Sequence, residues 1–211
     1  MYLPEHFRDA RPDALAQAVA ASPLGLLVTH GPGGLDANPI PWLYDAGEDA
    51  GGGALGTLRG HVARANPLWQ PGASDAQALV VFSGEQGYIS PSWYPSKAAT
   101  HRQVPTWNYA VVHAHGALAV QDDKRFVRRV VAQLTCRHEA TEPVPWKMGD
   151  SAPEFIDSML RNIVGIQITL TSLVGKVKLS QNREERDRLG AADTLDARGH
   201  TALAHAMRKA V

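Results

Sequence analysis

Short strand-like runs separated by turns, with few helical patterns between them, make up most of this 211-residue chain. Residues 24–30 and 78–82 are apolar runs typical of buried strands, and residues 163–174 alternate between an apolar face and a mixed face. No strand–helix–strand alternation runs through the chain, which argues against a doubly wound parallel sheet. The pattern favours a mainly β fold, a small antiparallel barrel of six or so strands with peripheral helices.

Three further segments complete the predicted sheet. Residues 35–44 contain Pro39 and Pro41, which predict an edge or bulged strand because proline cannot donate to a ladder. Residues 54–60 form a third predicted strand after a Gly/Ala/Asp loop at 46–53, and residues 104–120 form a long one. Gly175 is predicted to turn the strand at 163–174 into a further segment at 176–180.

Helical periodicity is confined to a few places. It predicts helices over residues 9–21, over 122–138 with Asp122 or Asp123 as cap, and over 153–160 with Ser151 as cap. A short helix is also predicted at 61–66, stopped by Pro67. Residues after Gln181 read as helical and solvated, with breaks at Gly190 and Gly199. The chain is therefore predicted to divide into a barrel domain, 1–182, and a helical tail, 183–211, packed on or beside it.

Charge and composition restrict the classes of partner. Lys plus Arg and Asp plus Glu both total 21, so the chain lacks the basic surplus typical of nucleic-acid binding. The N-terminus lacks the pattern of a secretory signal, and no apolar run reaches the ~18 residues of a membrane span, which predicts a cytoplasmic protein without membrane contact. A single cysteine, Cys136, allows no internal disulfide and is interpreted as a buried small hydrophobe.

The first candidate site segment is residues 57–66, where a predicted strand end, Gly60 and a predicted helix start coincide with two arginines and a histidine. Backbone N–H groups at a helix start favour an anion, and Arg64 could add a charge-assisted contact to a phosphate. The alternative is a solvated turn whose arginines face water.

Two aromatic segments could form the wall of a site for a flat heterocycle. Residues 88–97 combine three aromatic rings, two prolines and three hydroxyls, and Lys97 could neutralise an anionic tail. Residues 104–109 carry Trp107 and Tyr109 on one face of a strand and Thr106 and Asn108 on the other. In the alternative interpretation these aromatics plug the end of the barrel or fill its core.

The histidines and lysines of the later strands give weaker signals. His113 and His115 share a strand face, but two ligands without a third are poor evidence for a metal, and no metal site is predicted. Lys176, Lys178 and Ser180 alternate on one face, and a solvent-facing basic edge strand is the slightly favoured interpretation.

Five segments, in order, resemble motifs of the PaiB-like family of FMN-binding negative transcriptional regulators. They are MYLP…F at 1–7, HVARANP at 61–67, YISPSWY at 88–94, VPTWNY at 104–109 and GKVKLSQNR at 175–183. The resemblance covers almost the whole chain. It implies a six-stranded split β-barrel related to pyridoxamine-phosphate oxidases and flavin reductases, and a homodimer with FMN at the subunit interface.

The resemblance also implies roles for individual residues. Arg64 and Lys97 would contact the phosphate, with His61 and Asn66 assisting, and Thr57 and Leu58 would lie along the flavin ring. Five residues would close the site: Ser92, Trp93, Thr106, Trp107 and Asn108. Lys178, Gln181 and Asn182 would approach from the partner subunit.

Three functions stay open at this point. The first is an FMN-dependent oxidoreductase, although no general acid or base can be identified and whether the chain is an enzyme stays undecided. The second is a transcriptional regulator, as the family name proposes, although the balanced charge does not support DNA binding. The third is a haem-binding split barrel, for which His30, His61, His113 and His115 are available.

Overall fold

A computed structural model describes residues 1–46, 55–72 and 77–210, and in these ranges a mainly antiparallel sheet is flanked by helices. The strands follow the order β3-β2-β6-β7-β8-β5-β4, with β1 added to β8. The strands are β1 Arg8–Asp9, β2 Leu24–Gly31, β3 Gly34–Pro41, β4 Leu43–Asp45, β5 Thr57–Ala63, β6 Gln77–Ile89, β7 Thr106–Gln121 and β8 Ile163–Lys178. The helices are α1 Pro12–Ala21, α2 Ser96–Thr100, α3 Lys124–His138, α4 Pro153–Arg161, α5 Glu185–Ala197 and α6 Thr201–Lys209.

The predicted class, mainly β with peripheral helices, is confirmed, with eight strands among the described residues instead of six. The loop predicted at 46–53 falls almost entirely outside the described residues, as does Ala54 at the start of the third predicted strand. Two compact units can be distinguished: Met1–Leu15, Ser83–Val112 and Val174–Val211 form one, and Ala16–Phe82 with His113–Leu173 form the other. The predicted division into 1–182 and 183–211 stays a prediction.

Antiparallel pairing organises the unit formed by Ala16–Phe82 and His113–Leu173. β5 pairs with β8 over seven positions, from Thr57 opposite Thr169 to Ala63 opposite Ile163. Alternate side chains of this pair are fully buried, among them Leu58, Ile166 and Ile168. Burial of one face of each strand fixes the register, because a slip of one residue would turn this apolar set outward.

The elements at the edges of this unit match their sequence signals. β3 carries Pro39 and Pro41 and ends the strand order, as the two prolines predict. Asp123 caps α3, its Oδ1 accepting from the Phe126 N–H at 2.8 Å. Ser151 does not cap α4, because the helix begins at Pro153 and Ala152 therefore occupies the capping position.

The apolar stripe of α3 packs on Leu43, through Phe126, Val130 and Leu134. Cys136 lies off this stripe and is exposed, so the interpretation of a buried cysteine is wrong. The reason is helical geometry: side chains four residues apart share a face, and position 136 does not belong to the series 126, 130, 134.

In the other unit the C-terminal helices form a core with the turn after β6. Leu195, Leu203 and Met207 are at most 1% exposed and pack in one cluster with Ile89 and Tyr94. The prediction of a solvated tail is therefore wrong. Gly190 does not break α5, and a Cβ at this position would lie 2.9 Å from the Trp93 carbonyl oxygen, so glycine here permits close packing.

Strand boundaries also differ from prediction, because pairing extends beyond the local signal. β5 continues to Ala63, so there is no helix at 61–66 and Gly60 lies within a strand. β6 is longer than its predicted apolar core at both ends, because it runs from Gln77 to Ile89 instead of from Ala78 to Phe82. β8 passes straight through Gly175, which lies opposite Asp9 of β1. A Cβ at Gly175 would lie 3.1 Å from the Asp9 carbonyl oxygen, so this glycine allows β1 to pair instead of making a turn.

Replacing Leu203 with alanine should destabilise the protein, because it would leave a cavity in the cluster of the tail helices. We expect a loss of about 2–5 kcal/mol in the free energy of unfolding, measured by urea denaturation. The matched control is His205→Ala, since His205 is exposed on the same helix and its loss should change stability little. A Leu203→Ala variant as stable as this control would contradict the buried tail.

Candidate functional site

One face of β5 carries three polar side chains at alternate positions: Thr57, Arg59 and His61. Thr57 is 1% exposed, the Arg59 side chain is 15% exposed, and His61 is half-buried. Residues directly opposite in an antiparallel pair share a face, so Gln167 and Thr169 of β8 extend this face. We call Thr57, Arg59 and His61 the β5 polar face.

Each side chain of the β5 polar face has a buried polar atom that lacks a hydrogen-bond partner within the described residues. These atoms are Thr57 Oγ1, Arg59 Nε and His61 Nδ1. Arg59 is otherwise engaged through one terminal nitrogen, which lies 2.9 Å from Asp45 Oδ2. Buried polar groups are nearly always paired, and leaving one unpaired costs about 1–3 kcal/mol. Three such atoms on one strand face indicate a surface built to meet polar groups of a ligand or a partner.

Burial controls the protonation of His61. Removal of the ring from water lowers the pKa of His61 below its usual value near 6.5. The imidazole is therefore neutral at pH 7, with one nitrogen as donor and the other as acceptor.

The opposite face of β5 points into the core. Leu58 is fully buried, so only its backbone is left to lie along a flavin ring. The predicted contact of this residue with the flavin stays a prediction. A Cβ at Gly60 would lie 3.1 Å from the Pro41 carbonyl oxygen and 3.2 Å from the Trp42 ring, so glycine here lets β5 pass close to these residues.

Arg64 follows β5 and is held by a carboxylate. Its Nη1 and Nη2 lie 2.9 and 2.5 Å from the two carboxylate oxygens of Asp122, and its Nε donates to the Arg161 carbonyl at 2.8 Å. This hydrogen-bonded pair lowers the pKa of Asp122 and raises that of Arg64. These bonds of Arg64 therefore join the end of β5 to the residue that follows β7 and to the end of α4.

Asn66 has a structural role in the turn after β5. Its Oδ1 accepts from the Leu68 N–H at 2.9 Å and caps a 3-10 helix, Pro67–Trp69, while its Nδ2 donates to Asn38 at 2.8 Å. Since the helix predicted at 61–66 is absent, the argument that its N-terminus would attract a phosphate no longer applies. The predicted phosphate roles of His61, Arg64 and Asn66 stay predictions.

The remaining predicted site residues lie in the unit that contains the C-terminal helices. Ser92 and Trp93 line a cavity, described further below, and Trp107 is 54% exposed with its ring 6.3 Å from that of Tyr88. Lys97 is half-buried on α2, and Asn182 is exposed.

Other predicted residues of this unit are held by hydrogen bonds within it. Lys178 Nζ lies 2.5 Å from Thr106 Oγ1, and Asn108 is fully buried with its Nδ2 2.9 Å from Ser180 Oγ. Gln181 donates to the Val177 carbonyl at 2.6 Å. These bonds hold the end of β8 against the start of β7.

Lys176 does not face solvent, contrary to the favoured interpretation of a basic edge strand. It is 9% exposed, donates to the Tyr2 carbonyl at 3.1 Å, and lies 5.4 Å from the centre of the Tyr109 ring. The reason is that this end of β8 is not an edge: Lys176 lies opposite Arg8 of β1, and β7 neighbours β8 in the strand order.

The predicted site residues therefore form two sets, one in each compact unit. Thr57, Leu58, His61, Arg64 and Asn66 belong to the unit containing β5, and the other nine belong to the unit containing the C-terminal helices. Sequence reasoning missed Arg59 as a site residue, although its position two residues from both Thr57 and His61 places it on their face of the strand. It also missed Arg198, for which the sequence offers no motif.

The described residues contain no group of three or more His, Cys, Asp and Glu side chains arranged to hold a metal ion. The rings of His113 and His115 lie 6.2 Å apart on β7. None of the helices in the described ranges is long and apolar enough to cross a bilayer.

Comparisons with known proteins identify relatives over most of the chain. Residues 1–172 match the family described as "Putative FMN-binding domain". The chain is 29% identical over 195 residues to the "Protease synthase and sporulation protein PAI 2" of Bacillus subtilis, covering 92% of this chain and 89% of that protein. It is 31% identical over 221 residues to an uncharacterized protein of Emericella nidulans, covering 90% and 88% of the two chains.

Solved structures of low sequence identity share the fold. The flavocytochrome Anf3 from Azotobacter vinelandii matches with a TM-score of 0.61 at 11% identity, over 84% of this chain and 72% of that one. The FAD and heme binding protein from Mycobacterium smegmatis matches with a TM-score of 0.58 at 14% identity, over 82% and 73%. At such identities the likeness concerns the fold alone, and the predicted split-barrel class is confirmed.

The Arg64–Asp122 pair should make stability depend on acid pH. The pKa of Asp122 is lower in the folded chain than its unfolded value near 3.9, so the pair stabilises the fold above that value and this contribution is lost as pH falls through the folded pKa. In an Arg64→Gln variant, NMR titration should find the Asp122 pKa shifted upward, and the acid limb of stability should flatten. An unchanged Asp122 pKa would contradict the pairing.

Proposed function

The chain belongs to the FMN-binding domain family, and on that premise we propose that it is a homodimeric flavoprotein whose β5 polar face holds the flavin. The predicted resemblance to PaiB is confirmed by the relationship to the Bacillus subtilis PAI 2 protein, and FMN is the cofactor by which the family is described. The observation that carries the assignment of the site is the set of three unpaired polar atoms on one face of β5.

The residues of the β5 polar face fit the polar edge of a flavin. The ring system offers carbonyl oxygens and ring nitrogens as acceptors, and the Thr57 hydroxyl and the Arg59 Nε–H are donors without an acceptor among the described residues. A ligand acceptor would relieve the cost of leaving these buried donors unpaired. Neutral His61 could donate a hydrogen bond to the ligand or accept one from it.

Arg59 would also act through its charge. Its guanidinium pairs with Asp45 through one terminal nitrogen, and its side chain is largely buried, so solvent screens the charge less than at an exposed site. A positive charge beside the ring favours the accumulation of negative charge when electrons are received. The flavin itself supplies the capacity to accept and donate electrons, and the chain supplies position and electrostatics.

The homodimer is proposed because the family resemblance implies FMN at an interface between two copies of the chain. In the predicted arrangement Lys178, Gln181 and Asn182 approach the flavin from the second copy. Asn182 is exposed and has no side-chain hydrogen bond within the described ranges, which leaves it free to make such a contact. Analytical ultracentrifugation with bound FMN should give a dimer with two flavins, and a flavin-loaded monomer would exclude this arrangement.

An electron-transfer role is favoured over direct DNA binding. The chain has 21 basic and 21 acidic residues, and the segment from Lys176 onward gains no large basic excess. Binding through phosphate neutralisation would need such an excess and would weaken steeply with salt. A salt-sensitive gel shift at low ionic strength would instead support the regulator named by the family resemblance.

Haem binding is the second candidate, since His113 and His115 lie close together on β7. Absorption spectra distinguish the two cofactors directly. FMN gives flavin bands in the blue, whereas a Soret band after addition of haem, with no flavin binding, would favour the haem protein.

Thr57→Val should have opposite effects on the free chain and on flavin binding. Valine has the same shape without the unpaired hydroxyl, so the FMN-free protein should become more stable, while FMN affinity should fall about tenfold. Thermal unfolding without FMN and fluorescence titration with FMN measure the two effects. The control is Thr194→Val, whose hydroxyl is bonded to the Gly190 carbonyl at 3.0 Å: it should lose stability and keep FMN affinity. Unchanged FMN affinity in Thr57→Val would overturn the proposed site.

The role of Arg64 can be tested through its partner. If Arg64 contacts the phosphate, Asp122→Asn should tighten FMN binding by releasing the guanidinium, and Arg64→Ala should weaken it by about tenfold or more. Riboflavin, which lacks the phosphate, should bind both variants like the parent protein. If Arg64 serves only to join β5, α3 and α4, the FMN affinities of both variants will equal that of the parent.

A further inference from the structure

A cavity of about 430 Å³ opens in the unit that contains the C-terminal helices. None of its lining residues belongs to the β5 polar face. Six of its lining residues come from the end of β6, the turn that follows it, and the connection between α5 and α6. They are Tyr88, Ser90, Ser92, Trp93, Arg198 and His200. The volume suits a small organic molecule.

Two aromatic rings and a leucine form the apolar part of this cavity. The rings of Tyr88 and Trp93 meet edge to face, with centroids 6.4 Å apart and an angle of 80° between their planes. Leu195 is 1% exposed and also lines the cavity. Tyr88 is 46% exposed where it lines the cavity, so its ring offers a surface on which a flat apolar ligand can pack.

Arg198 brings an uncompensated positive charge to the same cavity. Its guanidinium carbon lies 4.8 Å from the centre of the Trp93 ring, and it forms no ion pair with a described residue. By contrast Arg208, on the neighbouring helix, pairs with Asp193 at 2.9 Å and with Asp196 at 3.0 Å. The five N–H groups of Arg198 are therefore available to an acceptor on a ligand, in a planar fork that matches a carboxylate.

The two serines leave one further donor. Ser90 Oγ and Ser92 Oγ are 2.7 Å apart, so one hydroxyl donates to the other. Ser90 Oγ also accepts from the Ser92 N–H at 3.3 Å. Whichever hydroxyl donates within the pair, the hydrogen of the other remains for a ligand oxygen.

The geometry points to a binding site for a small aromatic carboxylate. The flat ring would pack against Tyr88 and Trp93, and the carboxylate would accept from Arg198 and from the free serine hydroxyl. A cavity with aromatic walls, an unpaired cation and a spare hydroxyl donor favours an anion over a neutral or cationic analogue of the same shape.

This site is distinct from the proposed flavin site, although Ser92 and Trp93 were predicted to close the latter. All the residues that carry it lie in one compact unit, and none belongs to the β5 polar face. The inference therefore does not depend on FMN binding, and failure of one proposal would leave the other standing.

The test is calorimetric titration of the FMN-free protein with 1-naphthoate, 1-naphthamide and 1-naphthyl phosphate. We expect 1-naphthoate to bind at least tenfold more tightly than the uncharged amide, which has the same ring and nearly the same shape. Equal affinity for the two would overturn the proposal, and tighter binding of the phosphate ester than of the carboxylate would overturn the assigned class.

Variants locate the binding. Arg198→Gln should abolish the preference for 1-naphthoate over 1-naphthamide, and Arg198→Lys should retain part of it. The control is Arg186→Gln on α5, because Arg186 is exposed, pairs with Glu184 at 2.8 Å and does not line the cavity. An equal loss of preference in this control would contradict the site, as would an unchanged preference in Arg198→Gln.

Two further measurements keep the result unambiguous. If Arg198→Gln fails to fold, the double variant Ser90→Ala, Ser92→Ala replaces it, because it removes both hydroxyls of the pair. A several-fold loss of naphthoate affinity is expected, and no loss would contradict the proposal. Repeating the titration with FMN bound should give the same naphthoate affinity. Competition between the two ligands would show that the cavity is part of the flavin site and would overturn the proposal of a distinct one.

Discussion

The antiparallel pairing of β5 with β8 is the constraint on which the proposed flavin site depends. It buries Leu58 against the core side of the pair, opposite Ile168, and thereby fixes Thr57 and Arg59 on the other side. Because side chains alternate strictly along a strand, burial of the apolar set on one face places the polar set together on the other face. The energy that holds the polar face in place is thus hydrophobic, and the unpaired donors do not have to contribute to folding.

Glycines make this pairing compatible with its surroundings. Gly60 lets β5 pass close to Pro41 and Trp42, and Gly165, opposite His61, has the Phe126 ring 2.6 Å from where a Cβ would stand. A side chain at either position would force a neighbouring strand or helix away. Gly165 also places no side chain opposite His61 on their shared face of the pair.

How far the sequence could predict the structure depended on whether a signal was local. The alternation at 163–174 and the capped amphipathic pattern before residue 138 predicted β8 and α3, because burial of one face is written directly in the spacing of apolar residues. The segment at 61–66 failed for the opposite reason: its composition suits a helix, but its first three residues pair with β8. The tail failed because Leu195, Leu203 and Met207 are too widely spaced among small and polar residues to signal a core that only other segments complete.

For the candidate site, sequence reasoning found residue types but not partners. Arg64 was selected for its charge, yet the carboxylate that holds it, Asp122, lies 58 residues away and carries no motif that links the two. Arg59 and Arg198 illustrate the converse. The sequence marks Arg59 only as one of two arginines at 57–66, and Arg198 lies in no motif. Each becomes significant only through what its guanidinium lacks: a partner for Nε in the first case and a counter-charge in the second. An unpaired group is a property of three-dimensional neighbours, so the sequence could select Thr57 and His61 by residue type but could not show that their polar atoms lack partners.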